Sequence, residues 1–528
     1  MKMMDIQNKQ KNIFFRNVIN RIGKLRVLIL ILLVFLGYLL YYCQPYFISN
    51  LFYNKDTNKN ILNFIGLGIT LLVTPMINIL NNNYVQAIRV YSKKELWEKV
   101  SNEEYSYFLD STIGKIQSYI NEVSFACREI EQNSLLQMIK LFAMLFLYTI
   151  MLIKLNIMLG IIYLVIFVCY MILSTKMANI NRMRIAQSLS KTSKINENMQ
   201  DYYQNIEVIL SSNSQKFEDK KIDHTLNDEK EVYYHVQQVT NFNTLVQQFI
   251  VIALAAIICI FGMYTLHAKN LFSVILILLY SVLNLASFGM QYLAFRELSD
   301  RISSGLKVLK YDVNLKKKKE NFVYNDSQNS IQLQNLSFKY SNKKKVFSNL
   351  SGSFPKAKMS AIIGENGRGK STLLKIIMNF YPLRYGTIIF PYKDPLIVYI
   401  PQNAPLFNRS IYENISYPGK KISVDFIMKL VTEIGLDSLI KSKKDLKNKK
   451  PGDFKNSISG GERQKILFLR AIVSKPDILL LDEITSNLDE KTVTLLYRLI
   501  RKYLKNTTII GITHRQEELK YYDYIFRL

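Results

Sequence analysis

Cysteine is scarce. Only Cys43, Cys127, Cys169 and Cys259 occur in 528 residues, far apart and without a C-x-x-C pair, which excludes a disulfide framework and a zinc ribbon. Glycine (20) and proline (11) are too few for a collagen-like or Pro/Gly-rich low-complexity chain. Acidic residues are outnumbered, 41 Asp+Glu against 69 Lys+Arg, for a formal net charge of +28. Such an excess would ordinarily suggest a nucleic-acid partner, yet the mean hydropathy is +0.04. So many charges at that mean require the apolar residues to be concentrated, and they are, ahead of residue 300. The length allows several domains with ample core.

Six stretches have the length and polarity of bilayer spans, which need about 20 mostly apolar residues. They are 25–48, 61–80, 135–153, 157–173, 249–266 and 271–292. The first lies too far from the start, and lacks the small-residue cleavage site, to be a signal peptide, so it is expected to be retained. Lys2, Lys9, Lys11, Arg16, Arg21 and Lys24 precede it. By the positive-inside rule this places the N-terminal segment, 1–24, in the cytoplasm and predicts a multi-pass protein of the cell membrane. The first, third and fifth connections are short, whereas the second and fourth, 81–134 and 174–248, are long and polar. Poor in Gly and Pro, they are expected to continue the helices beyond the bilayer on the cytoplasmic side. Lys140, inside the third span, either touches an anionic substrate group, snorkels or has a partner within the protein. Asn284, Ser287 and Gln291 in the sixth line a polar pathway or bond between helices.

Composition changes after Gln291. The membrane domain is expected over 25–315, a basic linker (Lys316–Lys319 and the Asn/Asp/Ser-rich stretch after it) over 316–330, and an α/β domain over 331–528. There a short strand pattern, 360–363, runs into Gly364-Glu365-Asn366-Gly367-Arg368-Gly369-Lys370-Ser371-Thr372 and a helical pattern, 373–378. This is G-x-x-x-x-G-K-[ST] in its strand–loop–helix context. Gly364, Gly367 and Gly369 let backbone N–H groups curl toward phosphate oxygens, and Asn366 and Thr372 belong to the same nucleotide-binding set. Lys370 reaches the β- and γ-phosphates and Ser371 ligates Mg²⁺. Further on, Ser459-Gly460-Gly461-Glu462-Arg463-Gln464 precedes Ile478-Leu479-Leu480-Leu481-Asp482-Glu483. Four apolar residues ending in two carboxylates describe a buried parallel strand delivering both at its C-terminal edge.

With these motifs in this order, nearly the whole chain resembles the ABC transporter family, and its six-span half the exporter-type membrane domain of that family. The resemblance implies that Tyr340 stacks on adenine and that Gln402 lies between Mg²⁺ and the membrane domain. It also makes Ser459-Gly460-Gly461 the signature, Asp482 the Mg²⁺-associated carboxylate and Glu483 the general base for the attacking water. Ser486-Asn487-Leu488-Asp489 matches the D-loop, with Asp489 toward nucleotide, and His514 the switch histidine. Glu462 stands where many members carry Gln, and Ile484 where Pro is usual. Only a short stretch separates Gly386 from Gln402, so the family's antiparallel β-subdomain is expected to be trimmed.

The expected function is that of an ATP-hydrolysing half-transporter that pairs with a second half-transporter, an identical chain, in the lipid bilayer. It would export an amphiphilic substrate, with peptide slightly favoured over lipid or drug-like compounds. The rivals are a membrane-embedded ATPase switch with a sensory role and an importer of exporter-like topology. No nucleic-acid partner is expected, because membrane flanks and Lys-rich surfaces account for the charge.

Overall fold

The structure, a computed structural model, describes residues 2–528 other than 111–112, 286–287, 312–321, 326, 341–344, 382, 384, 403, 454–457 and 486–487. For 2–8, 110, 178, 180–197, 200, 236, 240 and 453 it describes the backbone alone. Ser287, the basic run 316–319 and the pair 486–487, all singled out in the sequence, lie outside the described residues.

Two units are resolved, Met1–Glu103 with Ser111–Asn314, and Glu104–Asp110 with Leu315–Leu528. In chain order the first twelve helices are α1 (Lys2–Ile22), α2 (Lys24–Tyr41), α3 (Gln44–Tyr53), α4 (Thr57–Ser101), α5 (Tyr105–Asp110) and α6 (Ile113–Glu129), then α7 (Leu136–Leu155), α8 (Ile157–Gln204), α9 (Ile206–Ser211), α10 (Gln215–Thr265), α11 (Ala268–Leu285) and α12 (Phe288–Val308). A π-helical turn, Ile130–Leu135, joins α6 to α7. All but α5 form the first unit.

Among the described residues, six of its helical stretches are long and apolar enough to cross a membrane: Lys24–Tyr53, Thr57–Ser101, Ile113–Leu155, Ile157–Met177, Gln215–Thr265 and Ala268–Val308. As expected, helix continues from the apolar stretches into the long polar connections, where α4, α8 and α10 run 45, 48 and 51 residues without a break. Pro75 does not end α4.

Burial in this unit is inverted relative to a water-soluble core. Leu28, Leu36, Leu62 and Leu72 are exposed, while Tyr42, Tyr148 and Tyr170 are among the largest fully buried side chains. Hydrocarbon solvates leucine but not a phenol, so the polar tips turn inward, where Tyr42, Tyr163 and Tyr170 find partners. The Tyr163 and Ser281 hydroxyls pair at 2.9 Å, and Tyr170 Oη donates to Leu285 O at 2.7 Å. Asn284 joins this interior, accepting from Tyr42 Oη at 3.2 Å and donating to Tyr280 O at 2.7 Å. Lys140 has its partner within the protein, its Nζ 5.8 Å from the centroid of the Tyr41 ring.

Among the described residues the second unit holds nine strands, β1 (Phe322–Tyr324), β2 (Ser330–Lys339), β3 (Lys345–Pro355), β4 (Met359–Ile363), β5 (Tyr385–Phe390), β6 (Ile397–Ile400), β7 (Ile478–Asp482), β8 (Thr508–Ile512) and β9 (Tyr524–Arg527). Among the same residues they are accompanied, besides α5, by the helices α13 (Lys370–Ile377), α14 (Ile411–Ile415), α15 (Val424–Glu433), α16 (Lys443–Asn448), α17 (Gly460–Ser474) and α18 (Glu490–Tyr503). One sheet has the order β1-β5-β2-β3, and the other, wholly parallel, β6-β7-β8-β4-β9. Every residue of β7 and β8 is buried, as helix-covered parallel strands require. The short run between Gly386 and Gln402 contains only the rest of β5, β6 and the link 391–396. The four-stranded sheet draws its length from β2 and β3, upstream of the P-loop.

Register aligns the ends that matter. Ile362 of β4 and Asp482 of β7 both pair with Ile512 of β8, so residues 363–364, 482–483 and 513–514 leave the sheet at one C-terminal edge. The α5 segment packs on this unit, where Tyr105 stacks on Phe380 with centroids 4.6 Å apart and planes at 22°.

Candidate functional site

The loop after β4 owes its shape to glycine. Gly367 and Gly369 have φ of 82° and 98°, left-handed values that cost other residues energy. A Cβ on Gly369 would come within 2.4 Å of the Val346 side chain, whereas one on Gly367 would meet nothing within 4 Å. Lys370 opens α13 and is 6% exposed. Its Nζ donates to Gly364 O at 2.8 Å and Glu365 O at 3.1 Å, which folds the ammonium back over the loop mouth. Asn366 lies in the same exposed turn.

Behind the loop a hydroxyl meets a carboxylate, Ser371 Oγ donating to Asp482 Oδ1 at 2.9 Å. Tyr399 Oη of β6 donates to Asp482 Oδ2 at 2.7 Å, and burial, aided by that carboxylate, raises the phenol above its ordinary pKa. Thr372 Oγ1 and Tyr340 Oη are 2.8 Å apart, and the Tyr340 ring packs edge-on against Phe338 and Tyr381.

One residue beyond β7, Glu483 adopts φ of 52°, which a non-glycine residue holds only where its surroundings impose it. Its Oε2 accepts from Gln402 Nε2 and its Oε1 pairs with His514 Nε2, both at 2.9 Å. Two clusters result, Ser371–Asp482–Tyr399 and Gln402–Glu483–His514, joined through the adjacent carboxylates. Hard oxygen donors with few protein carboxylates suit Mg²⁺, which keeps waters and phosphate oxygens in its shell. The groups present fit the ion: Ser371 and Asp482 would hold it, with Gln402 at the edge.

The signature residues lie elsewhere. Ser459 caps α17 and accepts from Glu462 N at 3.2 Å, while Glu462 Oε2 accepts from Ser459 N and Oγ, each at 2.9 Å. The Glu found here in place of Gln thus closes a capping box ahead of Gly460 and Gly461. Among the described residues no hydrogen bond joins 459–461 to the clusters around Ser371 and Glu483. Asp489 caps α18, and the Thr492 side chain and backbone N–H hold its carboxyl below the usual range.

The family model for the ABC transporter transmembrane region matches residues 26–290, half of the chain, and the ABC transporter model matches 347–486. The chain belongs to the ABC transporter family. A bacterial Atm1-family ABC exporter, solved with ATP bound, superposes with a TM-score of 0.81 over 96% of this chain and 94% of that one, at 18% identity. This likeness establishes the fold of the present ABC transporter chain. A Rickettsia prowazekii protein provisionally named an export ATP-binding/permease protein is 34% identical over 37% of this chain and 36% of its own length. The mitochondrial iron–sulfur clusters transporter ATM1 of Candida albicans is 34% identical over 35% and 26%. This ABC transporter chain therefore matches only 36% and 26% of the length of these two curated relatives.

One site residue and one buried carboxylate escaped the sequence. Tyr399 belongs to a four-residue strand whose pairing with β7 is long-range, and only that register sets it beside Asp482. Glu518 sits in the pair Glu517-Glu518, which reads as solvated surface, yet it is 2% exposed.

Proposed function

We propose that this chain is an exporter half-transporter in which ATP hydrolysis drives an amphiphilic substrate out of the cell, with a second, identical chain completing each ATP site. The observation that carries the reading is the division of labour within unit 2. Lys370, Ser371, Asp482, Gln402, Glu483 and His514 converge on one sheet edge, whereas Ser459 is engaged by its own helix cap and, among the described residues, has no hydrogen bond to them. In this reading Lys370 and the loop N–H groups bind the β- and γ-phosphates. Glu483 takes the proton of the attacking water at a carboxylate oxygen, oriented by Gln402 and His514. Mg²⁺, when bound, neutralises charge on the phosphate oxygens. The signature of the partner chain would close over the γ-phosphate, and the closed pair, favoured by ATP, would shift the spans.

The N-terminal segment and the nucleotide-binding unit are cytoplasmic in this scheme. Peptide is the favoured substrate class as a family prior, ahead of lipid and drug-like amphiphiles. The iron–sulfur name of the mitochondrial relatives carries no substrate here, because those matches span about a third of this chain.

The test is ATP-dependent accumulation in inverted membrane vesicles of fluorescent amphiphiles of all three classes, with Glu483→Gln vesicles as control. Accumulation of one class that requires ATP and Glu483 supports export. Active hydrolysis without accumulation of any class favours the ATPase-switch rival.

A further inference from the structure

Glu518 is a buried carboxylate to which the hydrolysis chemistry above gives no role. It lies in a 3₁₀ turn, Gln516–Tyr521, and its side chain is 3% exposed. Burying a carboxylate is costly unless hydrogen bonds compensate, so its partners show what it is kept for. Its Oε2 accepts three hydroxyls, from Thr513 at 2.8 Å, Thr485 at 3.0 Å and Tyr497 at 3.0 Å. Thr485 is two residues beyond Glu483, and Thr513 directly precedes His514. Its Oε1 lies 4.0 Å from Arg515 Nε. Arg515 Nη1 in turn donates to Leu488 O at 3.1 Å, next to Asp489. The Tyr497 ring that supplies the third hydroxyl is itself fixed, stacked on Tyr521 at 4.4 Å.

From this geometry we infer that Glu518 is a positioning residue for ATP hydrolysis: one carboxylate oxygen ties the segment after Glu483 to the segment before His514 and so sets the 2.9 Å contact between those two side chains. The inference rests on the hydrolytic reading of Glu483 and His514. Among the described residues no hydrogen bond joins the clamp to Lys370, Ser371 or Asp482, so loss of the clamp moves the hydrolytic groups and leaves nucleotide binding in place. A displacement on the order of 1 Å costs about a hundredfold in rate, so even a partial shift is readable.

The experiment is steady-state hydrolysis and ATP affinity of the purified full-length chain in lipid nanodiscs for Glu518→Ala, Glu518→Gln, Glu483→Gln and the double variant Glu483→Gln/Glu518→Ala. Glu518→Ala should lower kcat by about tenfold or more, with ATP affinity within about twofold of wild type. Glu518→Gln keeps an oxygen for the three hydroxyls and should recover kcat to within about threefold. The double variant should be no slower than Glu483→Gln alone, since positioning a base that is absent adds nothing. Wild-type kcat in folded Glu518→Ala overturns the inference. So does a parallel fall in kcat and affinity, or a Glu518→Gln as slow as Glu518→Ala. Should Glu518→Ala fail to fold, Thr513→Val and Thr485→Val each remove one arm of the clamp at nearly constant volume. A lowered kcat with unchanged affinity in either supports the clamp, and wild-type kcat in both overturns it. Near-wild-type turnover in Glu483→Gln would instead show that the hydrolytic reading itself is wrong.

Discussion

Replacing Glu483 by Gln isolates chemistry from structure, and the geometry states how cleanly. The two carboxylate oxygens are 2.9 Å from Gln402 Nε2 and His514 Nε2. Glutamine keeps both positions filled. Its amide oxygen can accept from Gln402, and its NH₂ can donate to His514 in the neutral tautomer that leaves Nε2 free. The Glu483 and His514 side chains are 25% and 41% exposed. A contact so open to solvent contributes at most about 1 kcal/mol to folding, a shift of about 2–4 °C for a domain of this size. The catalytic loss is larger, because an amide cannot take the proton of the attacking water. General-base removal costs about 10²–10⁴ in rate, or about 2.7–5.4 kcal/mol at the transition state.

The assay is phosphate release at saturating MgATP from protein in nanodiscs, with ATP binding and the melting midpoint measured on the same sample. Turnover should fall at least about a hundredfold while ATP binds with wild-type affinity. Turnover above about a third of wild type, or an equal loss of ATP binding, would refute the assignment of Glu483 as base.

Lys370→Ala removes a charge-assisted contact of about 1.5–3 kcal/mol and should weaken ATP binding or hydrolysis about ten- to a hundredfold. Tyr340→Ala should cost less, since stacking is one contact among several; equal losses in the two folded variants would contradict that ranking. Tyr399→Phe deletes the 2.7 Å hydrogen bond to Asp482 and should raise the Mg²⁺ concentration for half-maximal hydrolysis several-fold without changing Mg²⁺-free ATP binding; an unchanged Mg²⁺ dependence would mean that Asp482 is oriented without it. For topology, in a background lacking the four native cysteines, an impermeant thiol reagent applied to intact cells should label Lys55→Cys and spare Lys220→Cys. The reverse pattern would invert the chain in the membrane.

The parts of the fold that were legible in sequence are those set by local chemistry. Apolar runs announce membrane-crossing helices, since the bilayer itself is the partner and no tertiary information is required. The loop at Gly364–Gly369 is legible because backbone curvature demands glycine at fixed spacing. Ile478–Asp482 is legible because a strand buried on both faces must be apolar along its length. What escaped depends on pairing between distant segments. Tyr399 reaches Asp482 only through the β6–β7 register, and Glu518 is distinguished from exposed Glu517 only by how its turn lies against Thr485 and Tyr497. The grouping of Tyr105–Asp110 with the second unit is of the same kind. Its aromatic residues resemble any others among 34 tyrosines until Phe380 is placed beneath Tyr105. In the membrane unit the hydropathy of the spans is blind to the inward-facing phenols, because tyrosine lowers the mean of a window wherever it points.

The claim that two chains share each ATP site is tested most directly by nucleotide occlusion in dimers assembled from two different variants. Lys370→Ala breaks the P-loop half of a site, and Ser459→Arg breaks the signature half. Either homodimer then has a lesion in both sites and should occlude no ATP. In the mixed dimer both lesions fall in one site, where the altered P-loop faces the altered signature, and the other site consists of two intact halves. Differently tagged chains, co-expressed and purified by both tags in turn, should therefore occlude about one nucleotide per dimer. No occlusion by a folded mixed dimer, together with one nucleotide bound by a tandem dimer carrying both lesions in one half, would contradict the account and place each site within a single chain.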